Sequence, residues 1–157
     1  MGFALLMIAV AQPVKSTHAA AGDLLQIFPN IDRDNSFSRN FSVVDGDILA
    51  GVPFDDTDAT NSGAVYQLDG TTGQLVRKFQ NPTPESDDAF GFSVMGSGDQ
   101  VLISAANDGI AGAAYLFDRE GRLLQTWANP MPDRVFKFGQ ALAATDRSIY
   151  IGAPFSL

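Results

Sequence analysis

The 157-residue sequence has no cysteine. A disulfide framework, a thiolate zinc site and a cysteine nucleophile are therefore excluded. Histidine occurs once, as His18, which leaves almost no basis for imidazole catalysis. Basic residues are scarce: 10 Lys and Arg stand against 18 acids, for a net charge of −8. Nucleic-acid backbones and anionic lipid heads both call for a basic patch, so neither is an expected partner. Glutamate is nearly missing too, with only Glu85 and Glu120 among the acids. The remaining acids are aspartates, which favour turns where glutamate favours helices. No apolar run reaches the roughly 20 residues of a membrane-spanning helix. What is present is ordinary for a folded domain: 45% apolar and 18% charged residues, with 15 glycines and 8 prolines.

Phe3 to Ala11 is an uncharged apolar run, broken by Gln12-Pro13 and followed by Ala19-Ala20-Ala21. This layout predicts a secretory signal peptide over residues 1–21, cleaved after Ala21. No Lys or Arg precedes the run, which leaves open an upstream start or a buried apolar segment. Removal of 1–21 would also remove His18.

The rest of the chain repeats. Phe90-Gly91 returns as Phe138-Gly139, and Val101-Leu102-Ile103 returns as Ile149-Tyr150-Ile151, each 48 residues on. Gly63-Ala64-Val65-Tyr66 returns as Gly112-Ala113-Ala114-Tyr115. Leu75 to Pro82 returns as Leu123 to Pro130, and Leu24 to Asn30 is a further copy of that element. Each unit holds four apolar segments of strand length, separated by Gly, Asp and Asn turn clusters such as Asp69-Gly70-Thr71-Thr72-Gly73. Four antiparallel strands repeating at this period predict an all-β fold of β-propeller blades.

The second segment of each unit is continuously apolar, as suits an inner strand covered on both faces. Arg77-Lys78 on the fourth segment reads as a charged guard of an exposed outer edge. The expected blades are 37–82, 90–130 and a partial 138–157, with a lone outer strand at 24–30. The sum is about two and three-quarter blades, against 4 to 8 in closed propellers. The chain is therefore expected to be the N-terminal part of a longer protein, with open blade edges that favour self-association.

Phe138-Gly139 and Gly152-Ala153-Pro154 resemble the two halves of the FG-GAP repeat, the unit of integrin α-subunit propellers and of many bacterial secreted proteins. Phe90-Gly91 matches the first half, whereas Ser104-Ala105-Ala106, Phe37-Ser38 and Gly51-Val52-Pro53 depart from the pattern. The resemblance covers about Leu24 to Phe155. It implies a secreted, surface-displayed or periplasmic propeller used for adhesion or ligand display. The calcium loop of integrin-type repeats does not carry over. Its positions hold tight turns too poor in carboxylates to surround the ion.

Antiparallel strands place the loops after the second and fourth strands on one face. That face gathers ten acids: Asp32, Asp34, Asp55, Asp56, Asp58, Glu85, Asp87, Asp88, Asp108 and Asp133. It is the expected binding face, for a protein or glycan ligand. Asp55, Asp56, Asp58 and Asn61 form its densest cluster and are the candidate ligands of a weak calcium site. The competing reading of the same residues is a turn whose side chains cap backbone groups. Adjacent Asp87-Asp88 is read as solvated rather than as an acid-base pair. Phe28, Phe79 and Trp127 occupy equivalent fourth-strand positions and are expected in the core between blades. No catalytic residue and no firm cofactor emerge. The expected function is a non-catalytic extracellular binding or adhesion module. The alternative is the N-terminal fragment of a propeller enzyme, a hydrolase or dehydrogenase, since fold alone does not fix function.

Overall fold

A computed structural model describes residues 7–9, 26–28, 40–109, 111–131, 137–145 and 147–154. Every regular element among them is a β-strand. Sheet I consists of β3 (Asn40–Val44), β4 (Asp47–Val52), β5 (Ala64–Leu68) and β6 (Leu75–Gln80). Sheet II consists of β7 (Phe90–Ser97), β8 (Gln100–Ala105), β9 (Ala113–Asp118) and β10 (Leu123–Ala128). Sheet III is the hairpin β11 (Ala141–Thr145) and β12 (Ser148–Gly152). Strands in sheets I and II pair antiparallel with their neighbours in sequence. Short turns impose this meander. Asp45 and Gly46 both take positive φ, 48° and 87°, as a two-residue hairpin between right-twisted strands requires. In the β5–β6 connection the Asp69 carboxylate accepts the Thr71 and Thr72 amides at 3.0 and 2.7 Å. Those bonds hold its carboxyl below the usual carboxylate range.

The remaining pair is β1 (Met7–Ala9) with β2 (Gln26–Phe28), antiparallel. β2 lies within the segment expected as a lone outer strand at 24–30, and its partner comes from the segment read as a signal peptide. Asp32, Asp34 and Asp133 lie outside the described residues.

The first strands of the three sheets are neighbours. β7 packs on β3 and β4 and also meets β11. The result is an arc of consecutive blades, not a closed ring. Its main core fills the space between sheets I and II. Sheet I supplies Leu49, Val65 and Phe79, and sheet II supplies Phe90, Val101, Ile103 and Phe117. The Phe79 and Phe117 rings meet edge-on with centroids 5.5 Å apart, and Phe90 meets Phe117 at 6.1 Å. Ile48, Ala50, Val52, Tyr66 and Leu68 form a second cluster on the other face of sheet I. The second strands of sheets I and II are thus covered on both faces, as their unbroken apolar runs predict, whereas in sheet III Tyr150 of β12 is exposed.

Successive sheets are joined by the Phe-Gly element. The Phe90 amide donates to the Ser62 carbonyl at 2.9 Å, and Gly63 forms a parallel bridge with Phe90. A Cβ on Gly63 would lie 2.1 Å from the Phe90 carbonyl oxygen, and one on Gly51 would lie 2.2 Å from that of Gly91. No side chain fits in either gap. The joint recurs one unit later, where the Phe138 amide donates to the Ala111 carbonyl at 2.9 Å. The recurring small residues therefore mark places where two backbones touch.

Two expectations about the outer strand need correction. Arg77 and Lys78 are half-buried instead of guarding an open edge. Lys78 reaches back across the sheet to Asp55, and Arg77 leans over the next sheet's turn at Gly121. Trp127, unlike its counterpart Phe79, is only half-buried. Among the described residues sheet III offers two strands, and neither carries a counterpart of Phe117.

Candidate functional site

The loop between β4 and β5 is built by its own side chains. The Asp55 carboxylate accepts the Thr57 amide at 2.9 Å, the Tyr66 hydroxyl at 2.6 Å and the Lys78 ammonium at 3.2 Å. Burial pushes the Asp55 carboxyl up, but the hydrogen bonds from Thr57 and Tyr66 and the Lys78 charge outweigh it. The net shift is below the usual carboxylate range. Asp56 Oδ1 accepts the Asn61 amide at 2.6 Å, closing the loop from the other side. The Asp58 carboxylate accepts from Gln80 Nε2 at 3.3 Å.

The loop then grips the segment leading into sheet II. Thr60, Asn61 and Ser62 carbonyls accept the Asp87, Ala89 and Phe90 amides at 2.8, 3.1 and 2.9 Å. Asn61 Nδ2 also donates to Asp87 Oδ1 at 2.7 Å. Asn61, Asp87 and Ala89 have positive φ of 52°, 69° and 57°. Such conformations cost energy in residues with a side chain, and these bonds hold them in place.

Asp88 is turned inward and is 2% exposed. Its Oδ2 accepts Asn81 Nδ2 at 2.8 Å and the Glu85 amide at 2.7 Å. Burial raises its carboxyl above the usual range despite the Glu85 bond, and the Asp108 and Asp87 charges add to the rise. The expectation of a solvated Asp87-Asp88 pair is thus half right in geometry. Asp87 is exposed, whereas Asp88 is drawn under the loop because the Asn81 amide and the Glu85 N–H need an acceptor there. Across the joint, Tyr115 hydrogen-bonds to Asp108 and lies 3.2 Å from the Thr83 hydroxyl. Burial, followed by the Asp108 bond, drives the Tyr115 phenol far above its ordinary value.

The four residues grouped as calcium ligands occupy one loop, and each has its own protein partner. Asp55 faces Tyr66 and Lys78, Asp56 faces a backbone amide, Asp58 faces Gln80, and Asn61 faces Asp87. Among the described residues no three acidic side chains are grouped as a metal would require. The capping role weighed against the metal site accounts for the Asp55 and Asp56 contacts. Sequence reasoning missed the tyrosine-aspartate pair after the second strand, present as Tyr66–Asp55 and again as Tyr115–Asp108. It also missed Asn81 and Asn129, whose side chains each cap the amide two residues on. Both were marked by recurrence, since Tyr66 and Tyr115, and Asn81 and Asn129, hold the same place in consecutive units.

The hairpins on the opposite face are tied across sheets by one cation. Arg119 Nη2 meets Asp45 of sheet I at 2.6 Å, and Nη1 meets Asp99 of sheet II at 3.4 Å. Among the described residues no helix is long and apolar enough to cross a membrane.

No curated protein matches the chain. Residues 77–117 match the family model described as FG-GAP repeat. The matched stretch runs from the outer strand of sheet I through the Phe90-Gly91 joint to the third strand of sheet II, so the chain carries an FG-GAP repeat set in propeller-type blades.

Proposed function

We propose that the chain is a non-catalytic binding module that works outside the cell or at its surface and presents the acidic loop face to a protein or glycan ligand. One observation carries this reading. Exposed Asp56, Asp58 and Asp87 are held at fixed positions by Asn61 and Gln80, on loops locked to both sheets. A rigid array of carboxylates loses little entropy on binding and suits sugar hydroxyls or a basic protein surface. Lys78, beside this loop, is engaged by Asp55. The FG-GAP resemblance supports display outside the cell.

The test is capture of the chain on arrays of neutral glycans and of basic extracellular proteins, compared with Asp56→Ala plus Asp58→Ala. Both side chains are exposed and lie outside the core between the sheets, so the blades keep their fold while the loop loses the Asp56–Asn61 and Asp58–Gln80 bonds; a circular dichroism melt of the variant checks this. Capture that the double variant loses, and that weakens as salt rises, is the expected result. Capture unchanged in the double variant would place the binding surface elsewhere. Catalytic turnover by the chain would favour the enzyme-fragment reading.

A further inference from the structure

Sheet II runs in the order β10-β9-β8-β7, so the outer edge of β10 has no partner strand among the described residues. The fold itself leaves this edge over, because a blade holds four strands and β10 is the fourth. An unpaired edge is a template for another strand, and charge or proline is what commonly blunts it. From Leu123 to Ala128 there is neither. Leu123 and Leu124 are 45% and 48% exposed. That exposure belongs to the repeat and not to an uncovered flank. Leu75 and Val76, at the same places in sheet I, are 51% and 47% exposed although sheet II packs on sheet I. Leu24-Leu25 carries the pair a third time in sequence.

The order of residues in β10 points to what fits the edge. The strand reads as an apolar pair, a polar pair and an apolar pair: Leu123-Leu124, Gln125-Thr126, Trp127-Ala128. Two identical strands meeting antiparallel about a two-fold axis set Gln125 opposite Thr126, Leu124 opposite Trp127 and Leu123 opposite Ala128. Polar meets polar, apolar meets apolar, and no like charges are opposed. β6 fails the same test. Its symmetric pair would set Arg77 opposite Lys78 twice, and Leu75 opposite Gln80.

We propose that β10 is a self-association edge, through which two copies of this chain pair antiparallel. Main-chain bonds around Gln125 and Thr126 join the strands, and the exposed leucines of one copy pack against Trp127 and Ala128 of the other. The bulge between Leu123 and Gln125 shortens the ladder that can form. The interface is therefore small, and the dimer is weak, with Kd in the range of about 1 μM to 1 mM. The edge is distinct from the acidic loop face and does not depend on that reading.

Sedimentation of the 157-residue chain across that concentration range tests the proposal, with two variants for comparison. Gln125→Arg plus Thr126→Lys gives β10 the central residues of β6, and Gln125→Glu plus Thr126→Glu gives it the opposite sign. Both positions are exposed, and circular dichroism checks that each variant is folded. The parent should form a concentration-dependent dimer. Each variant alone should dimerise about tenfold more weakly or worse, because like charges then face each other across the axis. An equimolar mixture of the two should associate at least as tightly as the parent, and this rescue should fade as salt rises. A parent that stays monomeric up to about 1 mM overturns the proposal. Association unchanged in both variants also overturns it and moves the contact to another surface, as does a mixture that associates no better than its components.

Discussion

Replacing Gly63 with alanine tests the joint between the sheets, and Gly98→Ala provides its control. Both glycines have positive φ, 83° and 57°. Each alanine therefore incurs about 1–2 kcal/mol for the left-handed conformation. The two sites differ in space. A Cβ on Gly98 meets nothing within 4 Å, whereas one on Gly63 lies 2.1 Å from the Phe90 carbonyl oxygen and 2.6 Å from its nitrogen. Both atoms belong to backbone, so no side chain can swing aside. Relief requires sheet II to move away from sheet I until the contact opens beyond 3.0 Å. That movement breaks the Phe90–Ser62 hydrogen bond, worth about 0.5–1.5 kcal/mol net. It also loosens the packed core around Phe90, at about 1–3 kcal/mol. The total for Gly63→Ala is about 2.5–6.5 kcal/mol, a large share of the 5–15 kcal/mol that holds a typical domain together. Urea unfolding followed by far-ultraviolet circular dichroism and Trp127 fluorescence measures both variants. The expected outcome is a loss at Gly63 at least about 1.5 kcal/mol larger than at Gly98. Equal losses would refute the reasoning, because they would leave only the shared φ cost.

Four other outcomes follow from the structure. Phe90→Ala should lose about 3–5 kcal/mol, since the ring is fully buried. Phe41→Ala, at a side chain 63% exposed, should change stability by less than about 0.5 kcal/mol in the same urea assay. Asp88 has a folded-state pKa raised by burial, so its ionised form opposes folding and stability falls as pH rises through the window between its unfolded and folded values. Asp88→Asn keeps an acceptor for Asn81 and Glu85, and should melt higher than the parent at pH 7. That gap should close as pH falls into the ordinary carboxylate range, and a gap that widens on acidification would contradict the assignment. Millimolar calcium should leave the melting temperature where chelator leaves it, because Asp55, Asp56 and Asp58 each have a separate protein partner.

The fold was legible because its signals repeat. Phe-Gly, the apolar second strand and the turn aspartates recur at one spacing, and each recurrence is a structural device seen again in the next sheet. The Asp45-Gly46 turn and the unbroken run Val101-Leu102-Ile103 are local signals, set by φ preference and by burial on both faces. The site was harder to read, because a carboxylate's role depends on what lies across the fold. Asp55 and Asp56 are adjacent, yet one is buried against Tyr66 and Lys78 and the other is exposed. Asp88 looks like Asp87 in sequence, and it is the Asn81 side-chain amide and the Glu85 N–H that draw it inward. Lys78 reads as an edge guard until Asp55, 23 residues away, is placed beside it. Trp127 was assigned to core by analogy with Phe79, and the analogy fails because, among the described residues, the neighbouring sheet presents two strands and no counterpart of Phe117.

The central claim is that Phe-Gly elements dock each sheet onto the one before it. Native-state amide hydrogen exchange at Phe90 and Phe138 tests it most directly, because these amides donate to Ser62 and Ala111 of the preceding unit. The account predicts strong protection at both, with Phe90, fully buried, approaching the global unfolding limit and Phe138, 9% exposed, somewhat below it. Exchange at either amide as fast as at exposed Gly98 would contradict the docking of the sheets.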